Sequence, residues 1–459
     1  VEQKDSKGDY DVIIVGAGIT GLTLALELQR SGKKCLILEK DHVGAGTTGG
    51  TTSHINNFFD ASYDEVISDF GEDNAKTLAN AAKDCVNYIK TNIDTYGINC
   101  DYGTCNFYLF SAEKKQNKML EDIYEAHQTV GIATEWVTEM PFSLKFEKLI
   151  EIQGQAQFHP LKYLNGILKA YIAEGGKIQE QVTVSEHSAE KEKVTVKTAT
   201  GEEFTGKNLV YAIHYALGSI RFNLLLAAYR SYAMAVKLDS APEKLAQTAD
   251  LYDPYHYMRY HKMGDNYFLI AGGFDHKTGD ESDTEKCYSD LKNYVEENFG
   301  KNEIVAQWSS QYYVPADGLP YIGKVPGEEL VYMAAGYNGN GMTFGTMASL
   351  IIPELLEGKT TPLAEMLDPS RIKPVASAQS VVTENAQAIT HMVKDKLSAD
   401  KIEDLKEIEP DEGKLVKYDG QTIAAYRDEK KELHLLSPVC PHMGCNVLWN
   451  PAEKSWDCP

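Results

Sequence analysis

Asp11-Val-Ile-Ile-Val-Gly16-Ala-Gly18-Ile-Thr-Gly21-Leu-Thr-Leu-Ala-Leu-Glu-Leu-Gln-Arg30 is the stretch on which the fold turns. Asp11 to Val15 is a short apolar, β-branched run of the kind that forms a buried strand. Gly16 to Gly21 is a turn, Leu22 to Arg30 reads as a helix, and Gly32 ends it. Cys35-Leu-Ile-Leu38 is a second strand. Strand, turn, helix and strand in that order open a parallel α/β sheet. The turn matches G-x-G-x-x-G: Gly16 permits the tight bend, Gly18 lets backbone approach a pyrophosphate, and Gly21 allows helix and strand to pack closely. The helix start then offers free N–H groups and a positive dipole end to phosphate. Glu39 closes the second strand, where a carboxylate accepts hydrogen bonds from ribose hydroxyls. In isolation the motif would be an ordinary glycine turn; between a strand and a helix, with its acid in place, it predicts a bound dinucleotide. It does not separate NAD from FAD.

Working outward, residues 61–150 read as mostly helical and amphipathic, with strand-like pieces near 101–110. A helix is predicted over 160–176, then strands over 178–187, 192–198 and 208–213. Residues 230–275 alternate in strand fashion and are rich in Tyr (Tyr252, Tyr255, Tyr257, Tyr260, Tyr267), which predicts a large antiparallel sheet. A helix at 282–299 precedes a strand near 306–313. Val331 to Ala335 is another buried strand, followed by Gly336-Tyr-Asn-Gly-Asn-Gly341 and a helix to about 357. Residues 375–398 lack Phe, Trp and Tyr and read as one connecting helix, and short strands with turns follow from 401.

The chain's 459 residues exceed what one core organises, so two or three domains are expected. Lys and Arg total 45 against 67 Asp and Glu, a net charge of −22. Such a surface repels phosphate and anionic lipid, which argues against a nucleic acid partner. No stretch is both long and apolar enough for a membrane span; Leu224 to Met234 is too short and contains Arg230. The polar start, Val1 to Gly8, does not read as a secretory signal, so a cytoplasmic location is expected. Five cysteines lie scattered (Cys35, Cys85, Cys100, Cys105, Cys287) and read as reduced thiols.

Two further segments bear on the dinucleotide. Val43 to Thr52 places glycines with Thr47, Thr48 and Thr52 after the second strand, suited to a second phosphate or a ribityl chain, or else a flexible surface loop. The turn from Gly336 through Gly339 and Gly341 into Met342 and Thr343 aims a helix N-terminus at whatever lies there; a reduced flavin, with negative charge near N1 and O2, is stabilised by such an end. No second G-x-G-x-x-G is present to serve a separate nicotinamide domain. Together these residues resemble the D-amino-acid oxidase and glycine oxidase family of flavoproteins, from about Tyr10 to Arg371. The resemblance rests on Asp11 to Lys40, the Thr47-Thr48 loop, Leu209 to Ala212, Asp317-Gly-Leu-Pro-Tyr-Ile-Gly323 and Gly336 to Thr343. It implies that Gly16, Gly18, Gly21, Glu39, Lys40 and Thr48 hold the ADP half of FAD. Val182 would touch the adenine through its backbone, and Gly339, Gly341 and Met342 would sit beside the ring. Ala212-Ile213-His214 departs from the family's usual Ala-Thr.

The remaining cysteines crowd the end: Cys440-Pro-His442-Met-Gly-Cys445, then Cys458. They resemble the two boxes of a Rieske domain, whose centre takes two Cys thiolates on one iron and two His imidazoles on the other. The resemblance implies that Cys440, His442 and Cys458 are metal ligands. It places a fourth ligand near position 461 and the disulfide partner of Cys445 beyond Pro459, so the cluster is expected to be incomplete or absent within residues 1–459. Zinc is the alternative, but its paired ligands usually have roughly two to four residues between them, and Cys-x-His has one.

The expected fold class is therefore α/β. A FAD-binding Rossmann-like parallel sheet (1–60, 155–230, 306–372) is joined to an antiparallel-sheet substrate domain (61–154, 231–305), with a helical linker (373–400) and a small all-β Rieske-like domain (401–459). The expected function is oxidation of an amine or amino acid by hydride transfer to FAD, with electrons leaving singly through the [2Fe-2S] centre to an external acceptor. The alternatives are an O₂-using oxidase whose C-terminal domain only docks a partner, or a non-catalytic flavin-fold binding protein. A substrate carboxylate would want an arginine. Arg259, near Tyr257 and Tyr260, is the candidate, although a sheet-surface arginine paired with an acid is the more ordinary reading in so acidic a chain. His54 could lie by the ring or be structural.

Overall fold

The computed structural model describes residues 9–217, 225–281, 283–371, 400–401, 405–418, 420–439 and 446–457. Two large sheets share the main body. In the first, Val331–Ala335, Glu203–Tyr211, Asp9–Val15, Cys35–Leu38 and Lys177–Gln179 lie side by side in that order and run parallel. Tyr321–Lys324 pairs antiparallel at one edge, and the hairpin Val184–Glu190 with Lys193–Thr198 extends from Glu203–Tyr211. The central strands are buried on both faces, which is why they read as unbroken apolar runs. Register settles where the site lies. Val15 pairs with Leu38 and with Tyr211, so the residues that follow (Gly16, Glu39, Ala212) leave the sheet along one carboxyl edge. Open α/β sheets bind ligands at that edge.

Helix Ile19–Arg30 covers one face and is crossed by helix Gly341–Leu356. The two approach closely because Gly345 faces Thr20 and Ile19; a Cβ there would lie 2.7 Å from Thr20 Oγ1. Both helices are buried on nearly all sides, so their sequences are apolar throughout rather than striped.

The second sheet has the order Ile304–Pro315, Leu226–Leu238, Asn266–Lys277, His256–Met263, Ala246–Asp250, Gly103–Ser111, Lys148–Gln157 and His54–Ile55, with Thr134–Trp136 also on Lys148–Gln157. All pairings are antiparallel except Ala246–Asp250 with Gly103–Ser111. Helices Tyr63–Phe70, Glu72–Tyr96 and Asn117–Val130 pack beside it. Three expected domain limits fall inside its strands: 154/155 within Lys148–Gln157, 230/231 within Leu226–Leu238, and 305/306 within Ile304–Pro315. The sheet is larger than the intervals allowed, because alternation along a strand does not reveal which sheet the strand joins.

Beyond residue 400, Asp400–Lys401, Glu412–Tyr418, Gln421–Arg427 and Leu433–Leu436 form a small sheet, and Leu448–Asn450 pairs with Ser455–Asp457. Its core is slight (Ile408, Val416, Ala425), and Trp449 lies over Gly413, where any Cβ would strike the indole. The expected linker helix lies outside the described residues. No helix among them is long and apolar enough to cross a membrane.

Candidate active site

Two cavities meet at the carboxyl edge of the parallel sheet. The first, about 300 Å³, is lined by Gly16, Gly18, Glu39, Lys40, Thr47, Thr48, Val182, Ala212, Gly339, Gly341 and Met342, among others. Its floor requires glycine. Gly16 has φ +106°, and a Cβ there would lie 2.7 Å from the Ala212 carbonyl oxygen. At Gly18 a Cβ would come within 2.9 Å of Thr48 Oγ1. Gly18 precedes the first helix without a side-chain cap, so the helix amides stay open to an anion, apart from Ile19 N–H, which donates to Thr48 Oγ1 at 3.0 Å. Glu39 is locked by accepting from Ala17 N–H (2.7 Å) and Asp41 N–H (2.9 Å). Val182 N–H donates to the Glu39 carbonyl at 2.8 Å, so only its carbonyl is left for an adenine.

His214 also lines this cavity, at φ +67°, its ring stacked on Tyr313 and edge-on to Tyr337. Burial pushes its pKa down to about 4, and its Nδ1 is buried with no hydrogen-bond partner. A glycine cradle, open helix amides and an orphaned ring nitrogen together suit an adenine dinucleotide.

Four of the expected cofactor residues do not line that cavity. Gly21 packs against the Gly16 carbonyl, its expected packing role. Gly336 packs on Leu226 and Pro315, and the buried Thr343 hydroxyl donates to the Asn56 carbonyl at 2.7 Å. Thr52 lines the second cavity instead.

This second cavity, about 290 Å³, adjoins the first: Thr47, Thr51 and Gly339 border both. Its walls include His54, Phe58, Phe107, Tyr255, Tyr257 and Tyr312, with Asp60 and Asp275. His54 hydrogen-bonds Thr52 Oγ1 (3.2 Å) and sits edge-on to Tyr257; burial and the Arg259 charge push its pKa down to about 3, so it is neutral at pH 7. The Tyr257 hydroxyl pairs with Ser231 Oγ at 2.7 Å.

Arg259 is not among the residues that line this cavity. Its guanidinium donates to the Thr52 and Phe158 carbonyls and pairs with His261 Nδ1 at 2.9 Å, in a fully buried position. Pleating puts it on the same face as Tyr257, two residues back, but these hydrogen bonds hold it against the Thr52 carbonyl. The carboxylates missed from sequence, Asp60 and Asp275, have no local signature. Asp60 lines the cavity as a residue still exposed to solvent, and the protein packed around its carboxyl, with the nearby Asp275 charge, raises its pKa to about 7. Asp275, raised to about 6 by burial, accepts from the Tyr312 hydroxyl at 2.9 Å.

Cys440, His442, Cys445 and Cys458 lie outside the described residues. Their flanks converge: Val439 and Asn446 form an antiparallel bridge, and Leu448 pairs with Asp457, the residue before Cys458. Asp457 in turn reaches the main body. Arg230 Nη2 donates to its Oδ1 at 2.7 Å while Nη1 donates to Ser309 Oγ at 2.7 Å; both side chains of the ion pair are about nine-tenths buried. Thr284 Oγ1 donates to Asn450 Oδ1 (2.9 Å), and Glu453 Oε1 accepts from the Tyr288 hydroxyl (2.6 Å) and Ser309 N–H (3.2 Å). Ser231, next to Arg230, lines the second cavity. Arg230 read from sequence only as a charge interrupting an apolar run.

The protein-family model described as FAD dependent oxidoreductase matches residues 11–355, and the Rieske [2Fe-2S] domain model matches residues 398–459. YhfW of Bacillus subtilis (strain 168), named as a Rieske 2Fe-2S iron-sulfur protein, is 31% identical over 455 residues, spanning 98% of this chain and 89% of that protein. The gamma-glutamylputrescine oxidoreductase of Escherichia coli (strain K12) is 25% identical over 365 residues, 76% of this chain and 84% of that protein. Among solved structures, L-proline dehydrogenase from P. horikoshii superposes with a TM-score of 0.67 at 19% identity, covering 79% of this chain and 97% of that one. Glycine oxidase from Geobacillus kaustophilus gives 0.65 at 18%, covering 79% and 99%.

Proposed function

The chain belongs to the FAD dependent oxidoreductase family and carries a Rieske [2Fe-2S] domain, and from that premise we propose that it oxidises an amine and passes the electrons singly through the iron–sulfur centre to an external acceptor. The amine gives up one hydrogen from carbon together with two electrons, and one proton from nitrogen, leaving a C=N bond that water hydrolyses. FAD supplies acceptance of two electrons and their release one at a time.

The chain's own residues supply the rest. Gly16, Gly18 and the helix start at Ile19 would take the pyrophosphate, Glu39 the ribose, and the amides of helix Gly341–Leu356 would face the ring. The aromatic walls of the second cavity exclude water from the reacting carbon. His54 stays neutral and offers no charge to a substrate ammonium.

The observation that carries the relay over a plain oxidase is the buried ion pair between Arg230 and Asp457. A module that only recruited another protein would have no need to be held next to the substrate cavity by the residue that precedes Cys458. Five buried free thiols (Cys35, Cys85, Cys100, Cys105, Cys287) support a reducing, cytoplasmic setting.

Anaerobic mixing of the full-length protein with a panel of amines and amino acids tests the reading. Flavin absorbance should fall first and the EPR signal of a reduced Rieske centre should follow, with the second step abolished by His442→Ala. Stoichiometric peroxide in air, unaffected by that substitution, would select the oxidase instead.

A further inference from the structure

We infer that the second cavity is built for positive charge, and that its substrate is a small aliphatic diamine with no carboxylate. The inference rests on the amine-oxidation reading above and names the class of amine. Besides four tyrosines, the titratable groups that line the cavity are Asp60, Asp250, Asp275, His54 and His127; among the described residues no Lys or Arg lines it. Burial keeps both histidines neutral at pH 7, with pKa values pushed down to about 3 and about 4. A substrate carboxylate entering here would meet no Lys or Arg among the described lining residues, and Arg259 is committed to backbone carbonyls and His261.

Asp250 is also committed. Its carboxylate accepts from His256 Nδ1 (2.7 Å), His256 N–H (2.9 Å) and Tyr252 N–H (3.2 Å). Asp60 and Asp275 are not so compensated. The Asp60 backbone N–H donates to Asn340 Oδ1 at 3.0 Å, and its Oδ2 lies against Gly339, which borders both cavities. Asp275 accepts the Tyr312 hydroxyl on Oδ2, while its Oδ1 is buried with no hydrogen-bond partner. Two carboxylates that line one cavity and feel each other's charge are costly unless protons or a cation join them. The rings of Tyr255, Tyr257 and Tyr312 surround them, and aromatic faces attract ammonium groups. Two acids in an aromatic box match two cationic nitrogens. A cavity of about 290 Å³ admits a short chain between them.

Binding to the FAD-loaded full-length protein is read anaerobically, as perturbation of the flavin absorption spectrum. The probes are butane-1,4-diamine, tetramethylammonium and benzoate. The two cations should perturb the spectrum and benzoate should not. Asp275→Asn and Asp60→Asn should each raise the Kd of butane-1,4-diamine by roughly tenfold or more, with FAD content unchanged. Tighter binding of benzoate than of either cation in the wild-type protein would overturn the inference, whether or not the variants fold. So would an unchanged diamine Kd in both variants. If the cations bind through both aspartates yet no amine or amino acid bleaches the flavin, the cation site stands and the oxidation reading falls. If an α-amino acid bleaches it while neither cation binds, the cation site falls and oxidation stands.

Discussion

Removing the Arg230 guanidinium should loosen the hold of the Rieske domain on the flavin domain. In Arg230→Met two short hydrogen bonds of 2.7 Å are lost, one to Asp457 and one to Ser309. Asp457, about nine-tenths buried, then keeps only Ser455 Oγ (3.1 Å) and Asn450 Nδ2 (2.9 Å) against a full negative charge. Deleting one partner of a buried ion pair costs about 3–5 kcal/mol, chiefly from the charge left behind. If that loss falls on docking, the undocked population rises roughly 10²–10⁴-fold. Hydrogen exchange on a peptide spanning residues 446–457 reads this directly, because Leu448–Asn450 and Ser455–Asp457 are protected only while their hairpin stays seated. Asp457→Asn should do less, since a neutral amide leaves no unpaired anion on that side, although it strands the arginine. In the double variant, Arg230→Met with Asp457→Asn, the losses should fall short of additive, by about 1 kcal/mol or more. Flavin-to-cluster electron transfer in the full-length protein should slow in parallel. Exchange and transfer both unchanged in Arg230→Met would refute the clamp and with it the structural support for the relay.

Three further outcomes are expected. Glu39→Ala should weaken FAD binding by about 1.5–3 kcal/mol per charged hydrogen bond lost, and also frees Ala17 and Asp41 N–H, so apoprotein titrated with FAD should show a raised Kd. Affinity for butane-1,4-diamine should rise from about pH 5 to about pH 8. Asp275 and Asp60, raised to about 6 and about 7, are protonated below those values and attract a cation only above them. The other groups that bear on this pair (Tyr255, Tyr257, Tyr312, Ser231, His256 and Asn340) include no residue that would reverse the sign; a flat profile would dissociate the two aspartates from binding. Arg371→Met should lower thermal stability by about 3–5 kcal/mol, because Arg371 meets both Asp317 oxygens at 2.7 and 2.8 Å with each side chain about 95% buried; an unchanged Tm would contradict that.

The dinucleotide cavity was legible because its determinants are local. Gly16, Gly18 and Glu39 act through a turn, a helix start and a strand end that short-range sterics specify, and such patterns read off residues in order. The second sheet was legible as alternation, but its extent was not, since pairing partners such as Leu226–Leu238 and Ile304–Pro315 are decided by which faces bury together. The Rieske boxes were legible from residue type and spacing, since metal ligation is a property of side chains near each other in sequence. The second cavity was not. Arg259 reads as a carboxylate clamp beside Tyr257, and the pleat does put the two on one face, yet backbone carbonyls and His261 hold its guanidinium and absorb its charge. Asp60 and Asp275 read as two ordinary acids among sixty-seven. Only folding brings a loop after the Thr47 segment and a strand of the second sheet to the wall of one cavity. Arg230 and Asp457 meet the same way, from 227 residues apart in the chain. A charge becomes functional when its solvent is taken away, and the loss of solvent depends on every element that packs around it.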